Sequence, residues 1–279
     1  MAIITISRGS LGLGVALAEC LADKLGYPCL GRELAREVAE KYGIQDQLMT
    51  KKIEEIPSLW ERLTSERTAY VVAMQEALAE RSLEGNMVYH GFVGHLLLKD
   101  LPALLRVRVI APMEVRIPLA MAEQGLDAAA AETHIKKMDE VRARWTKFVF
   151  GVDWQDPRLY DVVLNLGDIS IEAACEVLAG LARRPEFAVT DSTKARLKDF
   201  LLATRIRLIL ITNPDTRSLN LEVDVRDGIA FLKGAIPQDP RYPDGGARFK
   251  KQLQGMVMSV EGIKHATMGV EPLAPIPAD

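Results

Sequence analysis

The sequence predicts an α/β fold: a parallel sheet flanked by helices, followed by a small α+β module. Two observations carry that prediction. Through the first 182 residues, short β-branched or apolar runs alternate with helix-period segments, the pattern of parallel strands joined by helical crossovers. After Arg183-Arg-Pro-Glu186 the pattern changes. Two alternating runs, Leu219 to Val225 and Ile229 to Lys233, meet at Asp227-Gly228, a hairpin signal. The chain therefore divides into 1–185 and 190–273.

The elements follow in order. Ile3 to Ile6 is a strand, and three glycines (Gly9, Gly12, Gly14) lead from it into a helix over 12–25. Gly26 ends that helix, Tyr27 to Leu30 is a short extended piece, and Arg32 to Tyr42 is helical with Gly43 as its C-cap signal. Ser58 to Glu84 shows a long helical pattern containing Trp60, Arg62 and Arg67. Met87 to His90 is a second core strand, Gly91 to Gly94 a turn, and Leu105 to Ala111 a third strand. Pro112 starts a helix that Pro118 interrupts, at a cost of about 3 kcal/mol or a bend. Asp127 to Phe150 is helical, Leu159 to Leu166 a fourth strand, and Ile171 to Ala182 a closing helix. In the second module Thr190 to Ile211 and Phe249 to Val257 are helical and Ile263 to Val270 is a last strand. A proline-rich tail, Pro272 to Asp279, ends it.

Composition excludes several classes. A net charge of −3 offers no electrostatic case for nucleic acid. No run of roughly 20 apolar residues is present to span a membrane, and no basic, apolar leader opens the chain, so a cytoplasmic location is expected. Cys20, Cys29 and Cys175 are widely spaced in apolar contexts and read as buried free thiols. The histidines lack metal-ligand spacing, and no metal site is expected.

The glycine turn is the strongest chemical signal. Strand, glycine loop and helix together aim backbone N–H groups at a phosphate. Gly9 and Gly14 have the spacing of a P-loop, G-x-x-x-x-G-K-[ST], but Val15 and Ala16 replace its lysine and hydroxyl. Gly12-Leu-Gly14 with Ala18 also fits a dinucleotide fingerprint whose third small residue comes one position late. A ligand-free tight turn remains a third reading.

Several stretches resemble the cytidylate kinase-like family of P-loop proteins. They are Ile4 to Arg8, the glycine loop, Leu25 to Pro28, Gly85 to Gly91, Leu105 to Arg108, Ala111 to Arg116, Lys137 to Arg142 and, most specific, Gly151 to Asn165. Asp161 in this last stretch matches a family aspartate before the final core strand. Residues from about 190 to 272 resemble a BON module, a domain named from osmotically induced bacterial proteins, through the Asp227-Gly228 hairpin, Lys233-Gly234 and Val260 to Ala266.

The resemblance implies a nucleoside-monophosphate kinase architecture with a five-stranded parallel core, an acceptor region between the first two core strands, and a lid. It implies ATP with Mg2+ as the phosphoryl source and a CMP-like acceptor. It assigns nucleotide or phosphate binding to Arg8, Gly9, Ser10, Gly12, Gly14, His90, Gly91, Arg116 and Arg142, with Arg8, Arg142 and Asp139 as the catalytic candidates. The chain departs from the family at Val15, Phe92, Leu119 and Glu123, where relatives carry arginine. Activity is therefore expected to be impaired, and a non-catalytic nucleotide sensor acting through the BON-like module is the alternative. A protein or membrane-surface partner for that module and a homo-oligomer stay open. Ordinary packing competes with each assignment: the arginines serve equally as caps or surface partners. Asp139 and Arg142 lie three apart on one helix face, which suffices for an intrahelical pair.

Overall fold

The structure is a computed structural model that describes residues 1–9, 13–42, 64–91, 93–99, 101–236 and 246–272. Ser10, Gly12, Phe92, Gly43, Trp60, Arg62 and the tail beyond Pro272 lie outside them. The first strand, β1 (Ile3–Arg8), leads to helix α1 (Leu13–Leu25), then β2 (Cys29–Leu30) and helix α2 (Arg32–Tyr42). Further on come β3 (Met87–His90), β4 (Leu104–Ile110) and β5 (Val162–Asn165). These five strands form one parallel sheet in the order β2-β3-β1-β4-β5. Placing β1 at the centre brings its C-terminal end, Arg8, beside the ends of β3 and β4, where open α/β sheets gather their ligands.

Alternation along the strands decides what each face packs against. Ile4 and Ile6 of β1 with Ala2 just before it, Val88 of β3, and Leu105, Val107 and Val109 of β4 share one core. Against them lie Leu17, Ala18 and Leu21 of α1 and Ala174, Cys175, Leu178 and Ala179 of the Ile171–Ala182 helix. Each such buried Leu contributes about 1.5–3 kcal/mol. Thr5, Ser7 and Arg108 have the opposite parity and are also buried. The short Gly94–Leu97 helix belongs to this other side, since a Cβ on Gly94 would meet both Tyr89 and Thr5.

Two antiparallel helices, Met113–Gln124 and Ala128–Phe150, carry the remaining site residues of this unit. They pack through Ala120, Ala131 and Ile135. Asp127 caps the second helix by accepting from the Ala130 N–H, and Gly151 ends it with φ 70. The first helix continues through Pro118.

By contact density the chain forms two compact units. One contains β1 to α2 and Arg81–Lys194; the other contains the Thr64–Ser82 helix as far as Glu80 and the described residues from Ala195 onward. Within the second unit, β6 (Leu221–Arg226) and β7 (Ile229–Ile236) are antiparallel, and β8 (His265–Pro272) pairs parallel to β7 after the Ala247–Met258 helix. The hairpin turn has φ 52 at Asp227 and φ 77 at Gly228, the double left-handed geometry that Asp-Gly favours. Asp199, on the Asp191–Thr212 helix, accepts from both turn N–H groups, at 2.9 Å and 3.0 Å. One face of this sheet, with Val223, Val225, Ala230, Leu232, Ala266 and Val270, forms a core with Ile206, Leu210, Phe249, Leu253 and Val257.

Candidate functional site

At the end of β1, the Arg8 side chain turns back across the start of α1. A Cβ built on Gly14 would stand 2.5 Å from Arg8 Cδ, so glycine there is what lets the arginine lie close to the helix. The Arg8 carbonyl accepts from Arg142 Nη1 at 3.0 Å, which draws the Ala128–Phe150 helix onto the strand end. Arg116 meets Asp139 through Nη2, at 3.0 Å from Oδ1 and 2.8 Å from Oδ2. That pair sits directly over Gly9: a Cβ at Gly9 would come within 3.2 Å of Arg116 Nη2. Gly9, Gly14, Arg8, Arg116, Asp139 and Arg142 therefore converge, and Asp139 engages an arginine on the preceding helix.

The electrostatics reveal a member that sequence reasoning missed. Arg142 is pushed down to about 10 by burial and then by Arg8, with smaller contributions from Arg32 and Arg116; Asp139 opposes the change. Arg8 is lowered by burial and by Arg32, against Glu123 and Tyr89. Four guanidinium groups thus share one neighbourhood. A field that disfavours the charge of Arg8 and Arg142 favours an anion beside them. Arg32 is the first residue of α2, directly after β2 and Gly31. A basic residue following a parallel strand's C-terminal end was the available signal. That strand's brevity, only Cys29–Leu30, hid it.

His90 closes the same end of the sheet. Its ring occupies the space over Gly31, where a Cβ would lie 2.4 Å from Cε1. Burial and then Arg8 lower its pKa, so it is neutral near pH 7; Glu33 and Glu19 oppose this and Arg32 adds to it. Gly91 has a packing reason to be glycine: a Cβ there would collide with the Tyr89 hydroxyl.

Asp161 does separate work. It takes Arg106 in a two-pronged pair, 2.6 Å and 3.0 Å, and also accepts from the Arg106 N–H at 2.8 Å, tying the start of β5 to β4. Its pKa is held low by these bonds although burial alone would raise it. Trp154 and Trp145 are buried packing residues. Arg108 stacks 4.6 Å over the Trp154 ring and donates to the Trp154 carbonyl at 2.6 Å. Among the described residues no three His, Cys, Asp or Glu side chains gather to hold a metal ion, and no helix is long and apolar enough to cross a membrane.

Residues 3–168 match the family described as "Cytidylate kinase-like family". The chain is similar to a protein named cytidylate kinase from Archaeoglobus fulgidus, 29% identical over 179 residues, covering 63% of this chain and 91% of the relative. A protein of the same name from Methanopyrus kandleri is 29% identical over 183 residues, with the same coverage of each chain. Among solved structures, an uncharacterized protein from Eubacterium ventriosum superposes with a TM-score of 0.52 at 21% identity, over 65% of this chain and 97% of the other. That likeness concerns the fold alone.

Proposed function

The chain belongs to the cytidylate kinase-like family, and on that premise we propose that it binds a nucleotide through the arginine cluster and transfers phosphoryl groups only slowly. The observation that carries the reading is the convergence of Arg8, Arg32, Arg116 and Arg142 beside Gly9 and Gly14. Phosphoryl transfer needs positioning and charge neutralisation rather than covalent help from the protein. In this reading, the terminal phosphoryl group of ATP leaves ADP and bonds to a phosphate oxygen of a CMP-like acceptor.

Each arginine then has a task. Arg142 and Arg116 stabilise transferring oxygens, Asp139 orients Arg116, and Arg8 supplies the cation that Val15 does not. Ser10 and Gly12, outside the described residues, keep the phosphate-binding role that the family resemblance implies for them. Mg2+ belongs to the triphosphate substrate. The described residues offer it neither a hydroxyl at position 16, which is Ala16, nor a cluster of ligands, so no step is assigned to it.

The missing lysine and hydroxyl argue for low turnover. Losing one phosphate-stabilising group can cost 10³-fold or more, by analogy with arginine fingers. Those same absences favour a second reading, a nucleotide sensor without catalysis. Residues 190–273 are assigned in either case to a separable BON-like module, supported by the hairpin, the parallel third strand and the two helices. A panel of nucleotides with and without magnesium, read by thermal shift and followed by a coupled phosphotransfer assay, tests both readings. A shift with turnover far below the ordinary kinase range of roughly 1–100 s⁻¹ is expected with CMP and ATP. Turnover within that range overturns the impaired-enzyme and sensor readings. No shift with any nucleotide overturns the binding site.

A further inference from the structure

His90 has a chemistry that the arginine cluster alone does not explain. Its Nδ1 is shut off from solvent and has no hydrogen-bond partner among the described residues. The other edge of the ring, Cε1 and Nε2, lies against Gly31, with Glu33 Oε2 3.2 Å from the point where a Gly31 Cβ would sit. Glu33 is itself held by the Gly31 N–H. The charged groups around the ring are Arg8 from β1, Arg32 and Glu33 from α2, and Glu19 from α1. Burial together with the two arginines outweighs the two carboxylates, so the ring is a poor site for a positive charge until a further anion arrives.

We propose that His90 takes up a proton from solvent when a phosphate group binds among Arg8, Arg32 and Arg142, so that ligand and proton bind together. This rests on the nucleotide-binding reading above. A phosphate monoester brings nearly two negative charges at neutral pH. Those charges reverse the local field and give the imidazolium a partner. The neutral ring meets a desolvation cost and the repulsion of Arg8 and Arg32 if it protonates alone; in the complex, protonation turns both ring nitrogens into donors. The proton adds to a ring nitrogen and no covalent bond breaks. Affinity then rises as pH falls between the His90 pKa in the free protein and its higher value in the complex, by up to about tenfold per pH unit.

The test is calorimetry of CMP and ATP binding to the full chain at pH 7.5, in buffers of different ionisation enthalpy. The His90 ring resonance is followed by NMR across the same titration. Measurable proton uptake on ligand binding is expected, below the one-proton limit of a single imidazole. His90→Gln should abolish the uptake and weaken binding severalfold, its folding checked by thermal unfolding. Binding without proton uptake, or uptake that persists in His90→Gln, overturns the proposal and leaves the nucleotide site standing. An unliganded His90 that already titrates at its ordinary value also overturns it. Absence of CMP and ATP binding at every pH overturns the nucleotide reading and this inference with it.

Discussion

Arg142 and Arg205 both project from long helices, yet the two units treat them differently. In the sheet unit, Arg142 is buried among Arg8, Arg32 and Arg116, and the balance pushes its pKa down to about 10 despite Asp139. In the C-terminal unit, Arg205 reaches two carboxylates on the Thr64–Ser82 helix, Glu76 at 3.3 Å and Glu80 at 2.7 Å. Glu76 is only 3% exposed. One unit gathers several arginines at a strand end; the other sets Arg205 against two carboxylates. A gathering that costs stability is understandable where a ligand supplies the opposite charge. Opposite charges in direct contact are understandable where they hold two helices together.

The largest expected effect comes from breaking the matched side. Arg205→Ala leaves the Glu76 carboxylate buried beside Glu80 and should cost about 2–3 kcal/mol, below the full range for a buried pair because Arg205 is partly exposed. Urea unfolding measures this, and combining the change with Glu76→Gln should recover part of the loss. An unchanged midpoint for Arg205→Ala would mean that the pair is not structural.

Next in size is a second unbalanced group of the sheet unit. His95 is 1% exposed, and neither ring nitrogen has a hydrogen-bond partner among the described residues. Burial, followed by Arg106 and Arg108, pushes its pKa from 6.5 down to about 3. The unfolded chain therefore binds a proton that the folded chain refuses between those values. Stability is fully present above 6.5 and is lost as pH falls toward 3, by about 1.4 kcal/mol per pH unit. His95→Leu should remove that dependence, and at pH 5 the variant should gain about 2 kcal/mol on the wild type relative to their difference at pH 8. Parallel acid-unfolding curves for the two proteins would refute the assignment.

A smaller effect is read in binding. Gly14→Ala forces Arg8 away from α1, because the new Cβ falls 2.5 Å from Arg8 Cδ and 2.8 Å from Arg8 Cβ. Cβ is fixed to the strand, so the backbone must give as well, and that strain offsets the gain of about 1 kcal/mol from alanine as the better helix former. Nucleotide affinity should fall about tenfold, as for one lost charge-assisted bond, with the melting temperature unchanged or slightly lower. Retained affinity would remove Arg8 from the site. The smallest change is the control: Lys136 pairs with Glu132 at 2.6 Å on an exposed helix face. Lys136→Ala should shift stability by under about 0.5 kcal/mol.

Sequence alone determined the local elements and the class of fold. Arg32–Tyr42, Met87–His90 and Ile171–Ala182 fall where periodicity and glycine breaks put them, because helix and strand spacing are properties of consecutive residues. Asp227-Gly228 announces its hairpin for the same reason, since the left-handed turn is a local requirement. The glycine turn, Arg8 and Arg142 stand out as candidates because they sit in recognisable motifs. Tertiary structure decided the rest. The order β2-β3-β1-β4-β5 brings Arg8, Arg32, His90 and Arg116 to one end of the sheet, and no spacing along the chain encodes that meeting. Arg32 stayed hidden because it lies next to a two-residue strand. Asp139 is committed to Arg116, and Asp161 to Arg106, because side chains distant in sequence compete for each carboxylate, and packing geometry settles which one reaches it.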